Sequence, residues 1–299
     1  MGIPESQLET WSHQGAVATA KATHESIRKA LLAEKSPMKE KDFEIYLQGS
    51  YKNDTNIRGD SDVDVVVQLN STFQSDLSDL AEYEKELFEK AYNNANYHWA
   101  DFRRDVLAAL RSYYGQSAVT EGNKSLKLSQ ATGRLPADII VCLQYRKYLH
   151  FHSIKDQDYI KGIAFYTLRE NNRVINFPKP HYDNGVFKNS ESNTNGWYKP
   201  TVRLFKNART YLEGKNTIPG DLAPSYFLEC LIYNVPEGKF GASYEDTFCN
   251  AVNWLAKADF AQFTCQNEQL PLFGESPEQW SADKAKTLVE SMKKLWNNW

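Results

Sequence analysis

The spacing of apolar residues changes several times along the first half of the chain. From Ser6 to about Leu32, Val17, Ala20, Ile27 and Leu31 recur at helical spacing, and Ser6 with Glu9 fits a capping box. One long helix is predicted there. Phe43 to Leu47 reads as a short strand. It leads into LQGSYKNDTNIRGDSDVDVVVQL, Leu47 to Leu69. A Gly-Ser pair is followed by a loop rich in Asn, Asp and Gly, and then by an apolar strand. Leu77, Leu80, Phe88 and Ala91 predict a helix. Phe102 to Tyr114 predicts another, with Val106, Leu110 and Tyr113 on one side. Lys124 to Ser129 alternates, and Leu135 to Tyr145 is strand-like. The resulting order, α, β, β, α, α, β, β, describes a mixed α/β lobe.

The second half has another texture. Asn171 to Pro200 is rich in Asn, Pro, Ser and Gly and reads as loops. Helical patterns follow at Thr201 to Leu212, Ser225 to Tyr233, Tyr244 to Ala258 and Ser281 to Trp296, with Pro277 able to start the last. In KPTVRLFKNARTYL, Leu204, Ala208, Tyr211 and Leu212 share one side and Arg203 and Lys206 the other; by spacing alone Lys206 reads as part of a solvated helix face. The expected fold class is α+β. An α/β core spans residues 1–160 and a mostly helical lobe spans 161–299, with a cleft between the lobes.

Of the 299 residues, 41% are hydrophobic and 13% aromatic, enough for a substantial core. Lys and Arg total 35 against 38 Asp and Glu, which argues against coating long nucleic acid by charge. The start, MGIPESQLETW, lacks a basic stretch followed by an apolar run, so no secretory signal is expected. Gly2 with Ser6 matches a myristoylation pattern only loosely. No apolar run has membrane-spanning length. Cys142, Cys230, Cys249 and Cys265 are scattered, which disfavours structural zinc and suits reduced thiols in a cytoplasmic protein.

Candidate chemistry lies in the strand. Alternation puts Asp62 and Asp64 on one side and Val63 and Val65 on the other. Parallel carboxylates at a strand start repel each other, and a divalent cation with hard oxygen ligands relieves that conflict. An isolated DxD is more often a solvated strand end. Here Gly49-Ser50 lies just upstream, where glycine permits close approach to a phosphate and serine offers a hydroxyl and an amide. Asp138, in RLPADIIVCLQYR, opens a second apolar run and supplies a third carboxylate for a two-metal site.

Gly-Ser, then DxD, then a distant strand-borne Asp resembles the nucleotidyltransferase superfamily of DNA polymerase beta type. The wording QGSY, then IRGDSDVDVVV, is similar to the bacterial cGAS/DncV-like nucleotidyltransferases (CD-NTases), which make cyclic oligonucleotide signals in antiphage defence. The resemblance covers most of the chain, most strongly residues 47–69. It implies a polymerase-beta-like core with a helical lobe closing the cleft. It also implies that Lys206 and Ser225 bind phosphates, that Tyr226 stacks on a base, and that Gln48 and Ser50 join at the phosphate tail. The chain lacks the Cys/His zinc insertion of animal cGAS, which weakens any case for control by double-stranded DNA.

The function so implied is nucleotidyl transfer from nucleoside triphosphates, with Asp62, Asp64 and Asp138 on two Mg2+ ions, or Mn2+ in their place. The product would be a cyclic dinucleotide or trinucleotide second messenger, read by a separate effector in CBASS-type signalling. A monomer is expected, with neither membrane nor long nucleic acid as partner. Alternatives are a transferase that makes linear oligonucleotides or tags RNA or protein, a silent nucleotide-binding regulator, and a structural protein whose aspartates cap strands.

Overall fold

The computed structural model describes residues 2–59, 62–276 and 278–299. The predicted N-terminal helix is two helices, α1 (Glu5–Ser12) and α2 (Ala18–Leu31). The break has a long-range cause. Gly15 donates its N–H to Asn56 O at 3.0 Å, and a Cβ on Gly15 would stand 2.6 Å from Ile57 O. No side chain fits there, and a continuous helix would not bring the backbones together. The N-cap is Pro4 rather than Ser6, and Glu5 instead accepts from the Tyr244 and Glu245 N–H groups, both at 2.8 Å. Gly2 lies against the Trp296 indole, 2.3 Å from where its Cβ would be, which is a packing reason for that glycine.

Strand β1 (Phe43–Leu47) matches its prediction and leads into a short helix α3 (Gly49–Asn53), so Gly49 and Ser50 open a helical turn rather than a loop. Strand β2 (Val63–Asp76) is longer than its apolar run. Helix α4 (Glu82–Ala91) therefore starts late, and Leu77 and Leu80 precede it while still packing with Phe88 and Ala91. Helix α5 (Trp99–Tyr114) is followed by β3 (Val119–Glu121), β4 (Leu126–Leu128), β5 (Ala137–Ser153), β6 (Asp156–Tyr166) and β7 (Arg173–Asn176). These strands form one mixed sheet, ordered β1-β2-β5-β4-β3, with β6 paired to β5 and β7. β2 and β5 run parallel, and the other pairs are antiparallel.

The stretch read as loops contains helix α6 (Pro178–Lys188). Its prolines fall in the first turn, where a helix has no use for the missing N–H. Helices α7 (Tyr198–Gly214), α8 (Ser225–Tyr233), α9 (Tyr244–Leu255) and α10 (Ala282–Asn297) complete the chain. The Ser281 side chain caps α10. Pro277, the predicted start of that helix, lies outside the described residues.

The chain divides into two compact units. One is Val17–Tyr51 with Ser61–Lys179, and the other is Met1–Ala16, Lys52–Asp60 and Pro180–Trp299. A single cut at residue 160 does not describe this, because residues 161–179 belong with the sheet and 52–60 with the helices. In the sheet unit, Val63, Val65 and Val67 of β2 and Ile139 and Val141 of β5 pack with Ile27, Leu31, Phe102, Val106 and Leu110 of α2 and α5. Val66 and Cys142 face the other way, onto Ile163, Phe165 and Val174. In the helical unit Val202, Phe205, Leu231, Phe248 and Leu288 share one core. Each such side chain contributes about 1.5–3 kcal/mol on burial. Cys142, Cys230 and Cys265 are buried and Cys249 half-buried, all as free thiols. Among the described residues no helix is long and apolar enough to cross a membrane.

Candidate functional site

In the sheet unit the β2–β5 register sets the candidate carboxylates. Asp64 and Asp138 are direct partners across the parallel pair, followed by Val65 opposite Ile139 and Val66 opposite Ile140. Both aspartates thus project to the face that carries Val66 and Cys142. Asp64 and Asp138 are half-buried, and Asp62, just ahead of the strand, is exposed. The alternation that points Val63, Val65, Ala137 and Ile139 inward frees the intervening aspartates from the main core.

The Gly-Ser turn is built against Asp64. β1 lies antiparallel to β2, with Leu47 opposite Val65, and the Gln48 N–H donates to Asp64 O at 2.9 Å. Gly49 follows with φ +66°. A Cβ on it would stand 2.2 Å from Asp64 Oδ2. Glycine is required twice, by the left-handed backbone and by the carboxylate lying against its Cα. Ser50 follows, half-exposed in the first turn of α3.

Hard carboxylate oxygens at this register suit a divalent cation. Among the described residues no group of three His, Cys, Asp or Glu side chains is arranged to hold a metal ion. Asp138 Oδ1 instead lies 3.8 Å from Lys127 Nζ, its neighbour across the β4–β5 pair. The Lys127 side chain is 60% exposed, so this contact restrains Asp138 only weakly.

In the helical unit the spacing-only reading of Lys206 as a solvated helix face is corrected. Lys206 is 1% exposed. Its ammonium donates to Thr55 O at 3.0 Å and lies 3.9 Å from Glu229 Oε2. Arg203 is also buried and donates to Ser12 O and Asp54 O. Lys199, one turn earlier, donates to Asp54 Oδ2 at 2.9 Å. The basic stripe of α7 thus holds residues 54–55, just beyond the Gly-Ser turn in sequence. Ser225 opens α8 and accepts from Arg209 at 3.3 Å. Tyr226 is 41% exposed. Its ring stacks on His181 with centroids 5.3 Å apart, and its hydroxyl accepts from Asn267 Nδ2 at 3.3 Å.

The residue that sequence reading missed is Glu229. Its carboxylate is buried and accepts from Asn53 Nδ2 at 3.1 Å, Thr55 Oγ1 at 2.9 Å and His181 Nε2 at 3.1 Å. Burial pushes its pKa up. The His181 hydrogen bond, the charges of His181 and Lys206, and the Thr55 hydroxyl outweigh that and hold it at about 2. The signal was a lone acid inside the apolar run SYFLECLIY.

Comparison with known proteins finds two family domains along the chain. Residues 183–297 match the cGAS/DncV-like nucleotidyltransferase C-terminal helical domain, and residues 25–98 match a nucleotidyltransferase domain. The cyclic UMP-AMP synthase of Rhodothermus marinus (strain SG0.5JP17-172) is 56% identical over 299 residues, covering 100% of this chain and 99% of that one. The cyclic nucleotide synthase CdnE01 of Staphylococcus haemolyticus is 43% identical over 304 residues, covering 100% of both. The solved structure of Rhodothermus marinus CdnE c-UMP-AMP synthase with Apcpp and Upnpp matches with a TM-score of 0.89 and 55% identity, over 99% of this chain and 97% of that one.

Proposed function

Because the chain belongs to the cGAS/DncV-like nucleotidyltransferases and is a cyclic nucleotide synthase, we propose that it joins UTP and ATP into cyclic UMP-AMP. Its substrates are nucleoside triphosphates. The observation that carries the choice of bases is the 56% identity to the Rhodothermus synthase over essentially both whole chains. The level register of Asp64 and Asp138 supports the site.

In this reading a ribose hydroxyl attacks the α-phosphorus of a second nucleotide and expels pyrophosphate, and a second such transfer closes the ring. Asp62, Asp64 and Asp138 would hold two magnesium ions, with manganese as a substitute. Such ions neutralise charge on the attacking and leaving oxygens of the displacement. The Gly49 backbone and the Ser50 hydroxyl and amide grip the phosphate tail, assisted by Gln48 and Ser225. Tyr226 stacks on a base. Lys206, buried against Thr55, acts on the chain that follows the Gly-Ser turn rather than on the phosphates. The ring product would be a second messenger read by a separate effector in antiphage signalling, and the enzyme would work as a monomer.

The test is incubation with all four NTPs and magnesium, followed by mass spectrometry of the products. A phosphatase-resistant species of one UMP and one AMP is expected. A different pair of bases overturns the base choice, and a phosphatase-sensitive ladder overturns ring closure.

A further inference from the structure

Tyr226 is exposed, yet its orientation is heavily determined. His181 covers one face of the ring at 5.3 Å with an interplanar angle of 24°. Asn267 holds the hydroxyl at 3.3 Å. His181 is fixed in turn. Its Nε2 is bonded to Glu229 at 3.1 Å, and its carbonyl accepts from Gln266 Nε2 at 2.7 Å. Gln266 is itself bonded to the Tyr198 hydroxyl, deep in the helical core. His181 is 6% exposed and Glu229 4%, so neither meets solvent as a free charged group.

A histidine buried only for packing would not need an ionised acid buried beside it, because charge burial is costly unless every lone pair is answered. Here the acid is answered by Asn53, Thr55, His181 and Lys206, from α3, the segment after it, α6 and α7. One carboxylate thus locks the chain after the Gly-Ser turn to the imidazole that backs Tyr226. A flat ring backed on one face by a rigid partner offers its other face for stacking, and its tilt is set before a ligand arrives. Such preorganisation removes part of the ordering cost of binding.

We propose that His181, anchored by Glu229, is a positioning residue that fixes the plane of Tyr226 as the stacking platform for a nucleotide base. The proposal rests on the reading of Tyr226 as that platform, and it names the residue that tunes it.

The test uses the full chain with magnesium and the analogues Apcpp and Upnpp, with dissociation constants measured by calorimetry. These readings do not depend on turnover. KM for ATP and UTP is measured alongside. His181→Ala is expected to weaken one analogue about tenfold and the other less than threefold, with KM for the matching nucleotide rising more than kcat falls. His181→Phe, which keeps a flat ring under Tyr226, should recover most of that loss. Tyr226→Ala should weaken the same analogue, and the double variant should be no worse than about the larger single effect.

Equal weakening of both analogues by His181→Ala, in step with a lower Tm, would mean a merely structural histidine and overturn the proposal. If Tyr226→Ala weakens an analogue while His181→Ala weakens neither, the platform stands and the role of His181 falls. If Tyr226→Ala weakens neither, the platform reading falls and takes the proposal with it. Should His181→Ala fail to fold, His181→Gln keeps a donor toward Glu229 but no ring, and the same outcomes decide.

Discussion

Asp138 of the sheet unit and Glu229 of the helical unit are both carboxylates set in apolar runs, and the protein handles them oppositely. The Asp138 side chain is 33% exposed, with Lys127 at 3.8 Å as its ion-pair neighbour. The Glu229 side chain is 5% exposed and is answered by an amide, a hydroxyl, an imidazole and an ammonium. A carboxylate saturated by protein donors has no coordination left for a ligand and works as a fastener. One kept half-exposed at a strand start, with only a loosely held lysine as its ion-pair neighbour, keeps oxygens available. Burial alone would have ranked Glu229 as the more perturbed and so the more suspicious group. Its complete set of partners is what assigns it to structure rather than to chemistry.

The largest effect should come from the candidate metal-binding carboxylates. Asp64→Asn or Asp138→Asn is expected to lower kcat on the order of a thousandfold, about 4 kcal/mol of barrier, with Tm little changed. A large loss of Tm instead would make Asp138 a fastener too and dissolve the contrast.

Glu229 should show its effect in stability against pH. Its carboxyl sits at about 2 in the fold against an ordinary 4.5. A depressed acid stabilises the fold above its unfolded pKa and loses that contribution as pH falls through the folded one. The contribution is on the order of 3 kcal/mol at neutral pH. Urea unfolding of Glu229→Gln and wild type should therefore differ most above pH 4.5, and the gap should close toward pH 2. A gap that is constant with pH would remove the ionised fastener.

Gly49→Ala comes next. A β-carbon at φ +66° costs about 1–2 kcal/mol in backbone strain alone, and here it also drives into the Asp64 carboxylate. A fall in kcat/KM of about thirtyfold, about 2 kcal/mol, is expected in steady-state assays. Activity within threefold of wild type would mean that the turn does not position Asp64.

What could be read in advance follows the same line. β1 at Phe43–Leu47 and α8 at Ser225–Tyr233 were legible because their apolar spacing is local. The place of Asp138 at the start of β5 was legible because a charge opening an apolar run is anomalous on its face. The break between α1 and α2 was not, since it depends on Gly15 meeting Ile57 across a long sequence separation. The burial of Lys206 was hidden for the same reason, because its partners Thr55 and Glu229 are distant in sequence. Strands β6 and β7 were missed because their sequences, such as DQDYIKGIAFY, alternate poorly at the ends. β6 is a strand because long β5 offers it an edge, and β7 because β6 does in turn.

The smallest effect should fall on Lys127, and it tests the weak half of the contrast. Its ammonium is exposed, its distance to Asp138 is at the long end of an ion pair, and salt screens such contacts. Lys127→Met should therefore change the free energy of unfolding by less than about 1 kcal/mol, a difference that shrinks further in high salt. Its sharper readout is the magnesium dependence of the rate. Removing the ammonium takes away a cation that competes for Asp138, so half-maximal activity should need less magnesium. A variant that needs more magnesium, or loses activity tenfold at saturating metal, would mean that Lys127 steers substrate at the site. Asp138 would then be as firmly partnered, in function, as Glu229 is in structure.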